Sequence, residues 1–347
     1  MTEPDARPLP ALLLSAGLGT RLQPLTYLRA KAAVPINGEP LVVRSIRNLA
    51  RFGIRDLVLN LHHKPATIAA VVGDGSDRGV RVRYSWEQPV LGSAGGPRHA
   101  LPLLIDDQVD DQGDDQGDDH GDRGHGDFLI VNADTLTNLD IPALLARHRA
   151  SEALVTMALI RNPKPDHYGG VLVSPDGWVT GFSPRRRSTE TDTREPHPYH
   201  YIGVQVADAR AFASLEDGVP YESVNALYPR LLAAQPKAIA AFISDASFLD
   251  IGTAADCLET SLTLADREGP SLIGDRADIH PTAALIRTAI WDDVTVQAGA
   301  VLRECVVGDG AVIPAGARFE RCAIVPANGQ LPGPAERLES DLIVKRL

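Results

Sequence analysis

The chain has 347 residues, 44% of them hydrophobic, and a mean hydropathy of -0.08; it can hold two domains and a full α/β core, and no stretch nears the ~18 apolar residues of a membrane span. Its formal charge is -11, but residues 106–127 hold ten aspartates and one arginine, which is -9 and leaves -2 for the rest. A near-neutral body with an acidic insert argues against nucleic-acid binding by the body.

Three cysteines, Cys257, Cys305 and Cys322, are too scattered for a disulfide frame or a zinc site. With no basic, apolar, small-residue leader, a cytoplasmic location is expected. The first predicted element is the apolar run Ala11–Leu14, with the make-up of a buried parallel strand. Ser15-Ala16-Gly17-Leu18-Gly19-Thr20-Arg21 follows. Gly17 and Gly19 allow a sharp bend that turns backbone N–H groups toward phosphate oxygens, and Arg21 and Lys31 add fixed positive charge. Two common explanations of such a loop fail. A dinucleotide fingerprint needs a small residue where Leu22 stands, and a P-loop needs Lys-Ser/Thr where Thr20-Arg21 stand.

Further strands are predicted at 56–60, 80–84, 128–131, 154–159 and 238–242. Helices are predicted at 40–52, 65–72, 96–104, 141–151, 207–212, 223–234 and 254–264. Pro40 suits a first helical turn and Gly53 a helix stop. This alternation indicates a mostly parallel sheet with helices on both faces. The acidic segment 106–127 repeats every four residues and has too little apolar surface to offset its ordering, so a disordered surface insert is expected. A calcium-binding loop would need a closing glutamate that is absent there.

After Glu268-Gly269-Pro270 the period changes. Ile273, Ile279, Leu285, Ile290, Val296, Leu302, Val307, Ile313, Phe319 and Ile324 recur in steps of six, six and five, one circuit per 17 residues. One inward aliphatic per step, with small residues at the corners, describes a parallel β-helix of about three coils. The tail from Asn328 reads as a closing strand or cap.

Gly17-x-Gly19-Thr20-Arg21-Leu22-x-Pro24-Leu25-Thr26, then Lys31-x-x-x-Pro35, resembles the signature loop of the sugar-1-phosphate nucleotidylyltransferases. Ala30 and Ala32 replace the two prolines that flank the family's lysine. The resemblance covers residues 9–325 apart from the acidic insert. It lies nearest to mannose-1-phosphate guanylyltransferase-like members with a C-terminal left-handed hexapeptide-repeat β-helix. It implies a Rossmann-like catalytic domain over 1–268 and a β-helix domain over 269–347.

The activity implied is formation of an NDP-sugar and pyrophosphate from an NTP and a sugar 1-phosphate, with Mg2+. Arg21, Lys31 and Asp134 would be catalytic, and Asp134 in Asn132-Ala133-Asp134 and Asp250 in Asp250-Ile-Gly-Thr253 would hold the metal. Taken alone, either aspartate could equally open a turn or cap a helix. Ala16, Gly17, Gly19, Thr20, Arg21, Lys31, Glu87 and Gly92 would bind the nucleotide. Gly169 in Tyr168-Gly169, Arg185 and Gly203 would bind the sugar phosphate.

Pro184 stands where the family carries a sugar-binding glutamate, and Arg185 where it carries a lysine. His62 and His63 read as loop residues rather than metal ligands. A non-catalytic relative that senses nucleotide sugars is the competing reading, ahead of an acetyltransferase tail or a cytidylyltransferase. The β-helix tail implies a homo-oligomer.

Overall fold

The computed structural model describes residues 9–105, 126–184 and 198–347. Most of the acidic insert, and Arg185, lie outside the described residues. The chain forms two compact units, one of Met1–Gly17, Ile46–His62 and Gly73–Phe248, the other of Leu18–Ser45, His63–Val72 and Leu249–Leu347.

In the first unit, strands β1 (Ala11–Leu14), β2 (Asp56–Leu61), β3 (Arg81–Trp86), β4 (Asp127–Asn132), β5 (Val155–Arg161), β6 (Gly170–Val173), β7 (Val179–Ser183), β8 (Tyr199–Asp208) and β9 (Ile239–Ile243) make one sheet. Its order is β7-β6-β8-β4-β1-β2-β3, with β5 pairing both β8 and β9. Strands β4, β1, β2 and β3 are parallel, and β5 and β9 are parallel, whereas β8 runs antiparallel to β4, β5 and β6. Ala11, Leu12, Leu13, Leu129 and Ile130 are fully buried, as a strand covered on both faces requires.

Two helical expectations are corrected here. The stretch 207–212 gives Ala207 and Asp208 to the end of β8, and only Ala209–Phe212 turns, as a 3-10 segment whose start Asp208 caps. The stretch 223–234 divides into a π-turn, Ser223–Leu227, and a helix, Tyr228–Ala234. Helix α1 is Leu41–Arg51, α2 is Pro65–Val72 and α3 is Gly92–Ile105. Helix α3 begins four residues earlier than expected because the Tyr221 carbonyl accepts from the Ala94 and Gly95 amides (2.9 and 3.1 Å), satisfying first-turn donors. Helix α4 is Ile141–Arg149, α5 is Tyr228–Ala234 and α6 is Ala254–Glu268.

In the second unit the C-terminal coils stack with the register that the 17-residue period predicts. Ile279 pairs with Val296 and Val296 with Ile313; Leu285, Leu302 and Phe319 form a second column, and Ile290, Val307 and Ile324 a third. Corners repeat at the same period, with Arg276, Asp293 and Gly310 all at positive φ, and Arg276 pairs with Asp293 through two bonds of 2.6 and 2.7 Å. The closing strand is Leu342–Arg346, antiparallel to Cys322–Pro326. The three cysteines are buried and unpaired.

Candidate active site

Parallel pairing sets the candidate edge of the first unit. Leu14 stands opposite both Asn60 and Asn132, so β1, β2 and β4 end together. Ligands of open α/β sheets bind at such carboxyl ends. The chain leaves β1 through Ser15, Ala16 and Gly17, and a side chain added at Gly17 would meet nothing within 4 Å. Beyond β4, the Ala133 amide donates to the Leu14 carbonyl (3.1 Å), so half-buried Asp134 lies two residues past the Leu14–Asn132 pair. Asp140, rather than Asp134, caps α4 by accepting from the Ala143 amide at 3.0 Å. The capping role that competed for Asp134 is thereby taken.

A buried side-chain chain runs along this edge. Asn60 accepts from the Ser15 amide through Oδ1 (2.6 Å) and donates through Nδ2 to Glu87 Oε1 (2.7 Å). The other Glu87 oxygen accepts from the Leu91 amide (2.7 Å). Glu87 is 2% exposed. Expected beside the base, it has both oxygens engaged and holds the turn that leads into Gly92. Gly92 has φ +76°, and a Cβ there would lie 2.8 Å from Glu222 Oε1 and from the Tyr221 carbonyl, so glycine is required. His62 Nδ1–H donates to the Glu87 carbonyl (2.9 Å) and His63 Nε2–H to the Thr26 carbonyl (3.1 Å), so both rings serve the backbone.

On the expected sugar side, Gly203 lies against Asn132, with no room for a side chain, and exposed Gly169 precedes β6. Here three rings gather that sequence reading did not single out as a group. Tyr168 and His200 lie 4.3 Å apart, and Phe248 meets His200 edge-on at 4.8 Å. Burial pushes the His200 imidazole down to about 4, against the opposing effect of its hydrogen bond to the Gly169 backbone. At neutral pH the ring is uncharged.

In the second unit, the 3-10 turn Thr20–Leu22 leaves Thr20 and Arg21 exposed. Gly19, at φ +61°, packs with Thr26 and with the Lys31 stem, and Thr26 Oγ1 donates to the Gly19 carbonyl (3.0 Å). Lys31 opens the turn Lys31–Ala33. The alanines beside it have a structural reason on one side: the Ala30 amide donates to Thr67 Oγ1 (3.0 Å), a bond that proline could not make.

Arg21 and Asp250 both approach Gly252. A Cβ there would lie 3.1 Å from Arg21 Nη1 and 3.4 Å from Asp250 Oδ2. Helix α6 is capped by Thr253 and Asp256 in a reciprocal capping box, which leaves Asp250 outside the cap. Arg185 lies outside the described residues. Among those that are described, no three His, Cys, Asp or Glu side chains converge as a ready-made metal cage.

Residues 10–267 match the profile of the nucleotidyl transferase family. A mannose-1-phosphate guanylyltransferase of Mycobacterium tuberculosis is 27% identical over 90% of this chain and 83% of its own length. The UTP–glucose-1-phosphate uridylyltransferase of Synechocystis is 22% identical over 97% and 87%. The N-acetylmuramate alpha-1-phosphate uridylyltransferase of Neisseria meningitidis is 31% identical over 49% and 66%. HddC from Yersinia pseudotuberculosis, crystallised with GMP-PN, shares the fold, with a TM-score of 0.55 and 19% identity over 74% of this chain and 99% of its own. With the family profile spanning well over half of its length, the chain belongs to the nucleotidyl transferase family.

Proposed function

We propose that this protein is a sugar-1-phosphate nucleotidylyltransferase, with GTP and mannose 1-phosphate or a related sugar phosphate as substrates. Catalysis would lie in residues 1–268, ahead of the β-helix. The carrying observation is the strand register Leu14–Asn132, which sets Asp134 and the open backbone at Gly17 on one sheet edge. The relatives' activities support the substrate class, since they transfer guanylyl or uridylyl groups to sugar 1-phosphates.

In this reaction a sugar-phosphate oxygen attacks the α-phosphorus of the NTP and pyrophosphate leaves. The protein's part is placement and charge stabilisation rather than covalent chemistry. Arg21 and Lys31 supply fixed positive charge to the transferring group, and Gly17 lets the backbone approach phosphate closely. Asp134 and Asp250 offer only hard carboxylate oxygens, a donor set that fits magnesium, which prefers one or two carboxylates and phosphate oxygens. When bound, the ion neutralises phosphate charge.

The test is a matrix of NTPs against sugar 1-phosphates, scored by pyrophosphate release with and without Mg2+. Release with GTP and a hexose 1-phosphate is expected. Nucleotide-sugar binding without release from any pair would instead identify a sensor.

A further inference from the structure

The segment between β8 and α5 returns to the first turn of α3 and brings a carboxylate there. Its backbone is locked: the Tyr221 amide donates to the Leu91 carbonyl (2.8 Å), while the Tyr221 carbonyl takes the Ala94 and Gly95 amides. Glu222 follows. Its Oε2 accepts from Ser93 Oγ (2.7 Å), and Ser93 Oγ in turn accepts from the Ser223 amide and the Ser223 hydroxyl (both 2.9 Å). One donor and two acceptors are all that a serine hydroxyl has, so its orientation is set.

Nearby, Gln205 Nε2 on β8 donates to the Tyr228 hydroxyl at 2.5 Å. Glu222 is therefore held at Oε2 by a serine hydroxyl whose own orientation is set. Its Oε1 sits over Gly92, takes no bond among the described residues, and the residue is exposed. Glu87, a few residues before α3, differs: it is buried, and both of its oxygens are used.

An oriented carboxylate with one oxygen facing outward repels phosphate and attracts hydroxyl donors. Resting on the proposed function, we propose that Glu222 recognises hydroxyl groups on a sugar ring of the substrate. Such a ring has two sources of the same chemistry, the hexose of the sugar phosphate and the ribose of the NTP.

The test uses full-length Glu222→Ala and Glu222→Gln enzymes with each substrate varied in turn, alongside deoxy sugar 1-phosphates and 2′- and 3′-deoxy-NTPs. A charge-assisted hydrogen bond predicts a loss of about tenfold or more in kcat/KM for one substrate in Glu222→Ala. That loss should vanish on the analogue lacking the contacted hydroxyl. Loss on the sugar phosphate identifies the hexose, and loss on the NTP identifies the ribose. Wild-type rates, or an equal loss on hydroxylated and deoxy substrates, would overturn the assignment. If no pair releases pyrophosphate, the catalytic reading fails by itself, and calorimetric titration with GDP-mannose still decides. Binding about tenfold weaker in Glu222→Ala supports the contact; equal affinity, or no binding by either protein, overturns it.

Discussion

Asn60 Nδ2 donates to Glu87 Oε1 at 2.7 Å in a buried contact, and the same asparagine accepts the Ser15 amide at 2.6 Å. One side chain thus joins the end of β1 to the turn before α3. Asn60→Ala would strand both the Ser15 N–H and a buried carboxylate oxygen. A loss of about 1–3 kcal/mol is expected, together with a raised KM for NTP. Urea unfolding and steady-state kinetics on the same preparation check both.

Gly96→Ala probes that pair from the other side. Its Cβ would lie 2.6 Å from Glu87 Oε1 and 2.9 Å from Asn60 Nδ2. Both neighbours are buried and hydrogen-bonded, so neither can yield cheaply. Destabilisation of about 1–3 kcal/mol is expected, and it should be smaller in an Asn60→Ala background, a coupling that a double-mutant cycle measures.

Arg21→Ala and Asp134→Asn should each lower kcat by about 10²–10³-fold while the circular dichroism spectrum and melting temperature hold. Losses of that size follow the removal of one group that stabilises developing charge. Near-normal turnover in either purified variant would remove that residue from the site.

Restoring a proline at Ala30 should not help. The Ala30 backbone, at φ -57°, would accept the ring, but its amide donates to Thr67 Oγ1. A net loss of about 1 kcal/mol is expected from the missing hydrogen bond, partly offset by a stiffer unfolded chain. In a Thr67→Val background the penalty should shrink, as thermal melts of the four proteins would show.

His200 gives a pH prediction with a definite sign. Its folded pKa is about 4, below the ordinary value of 6.5. The unfolded chain therefore takes up a proton as pH falls through 6.5, and the folded chain does so only near 4. Its effect is absent above 6.5, grows more destabilising down to about 4, and then levels. The melting temperature of wild type, relative to His200→Gln, should fall over that window. A difference independent of pH would mean that the ring titrates normally.

Three neighbouring rings show why sequence spacing misses such a site. Tyr168, His200 and Phe248 come from segments 32 and 48 residues apart, and only the strand arrangement brings them together. Glu222 reaches Ser93 across 129 positions in the same way. The last residues of β8, Ala207 and Asp208, read in the sequence as a helix start. An antiparallel strand inserted among parallel ones carries no local mark of its partners.

The amino-acid order alone determined the elements whose contacts are local or periodic. These are the first strand with its glycine bend, and the β-helix, where each 17-residue coil places an aliphatic residue on its equivalent in the next. Tertiary structure alone decided that Asn60 braces Glu87, that Arg21 and Asp250 both approach Gly252, and that Glu222 faces outward over Gly92. Those relationships depend on distant segments being brought side by side, and a hydrogen bond between residues far apart in the chain leaves no period for a reader to find.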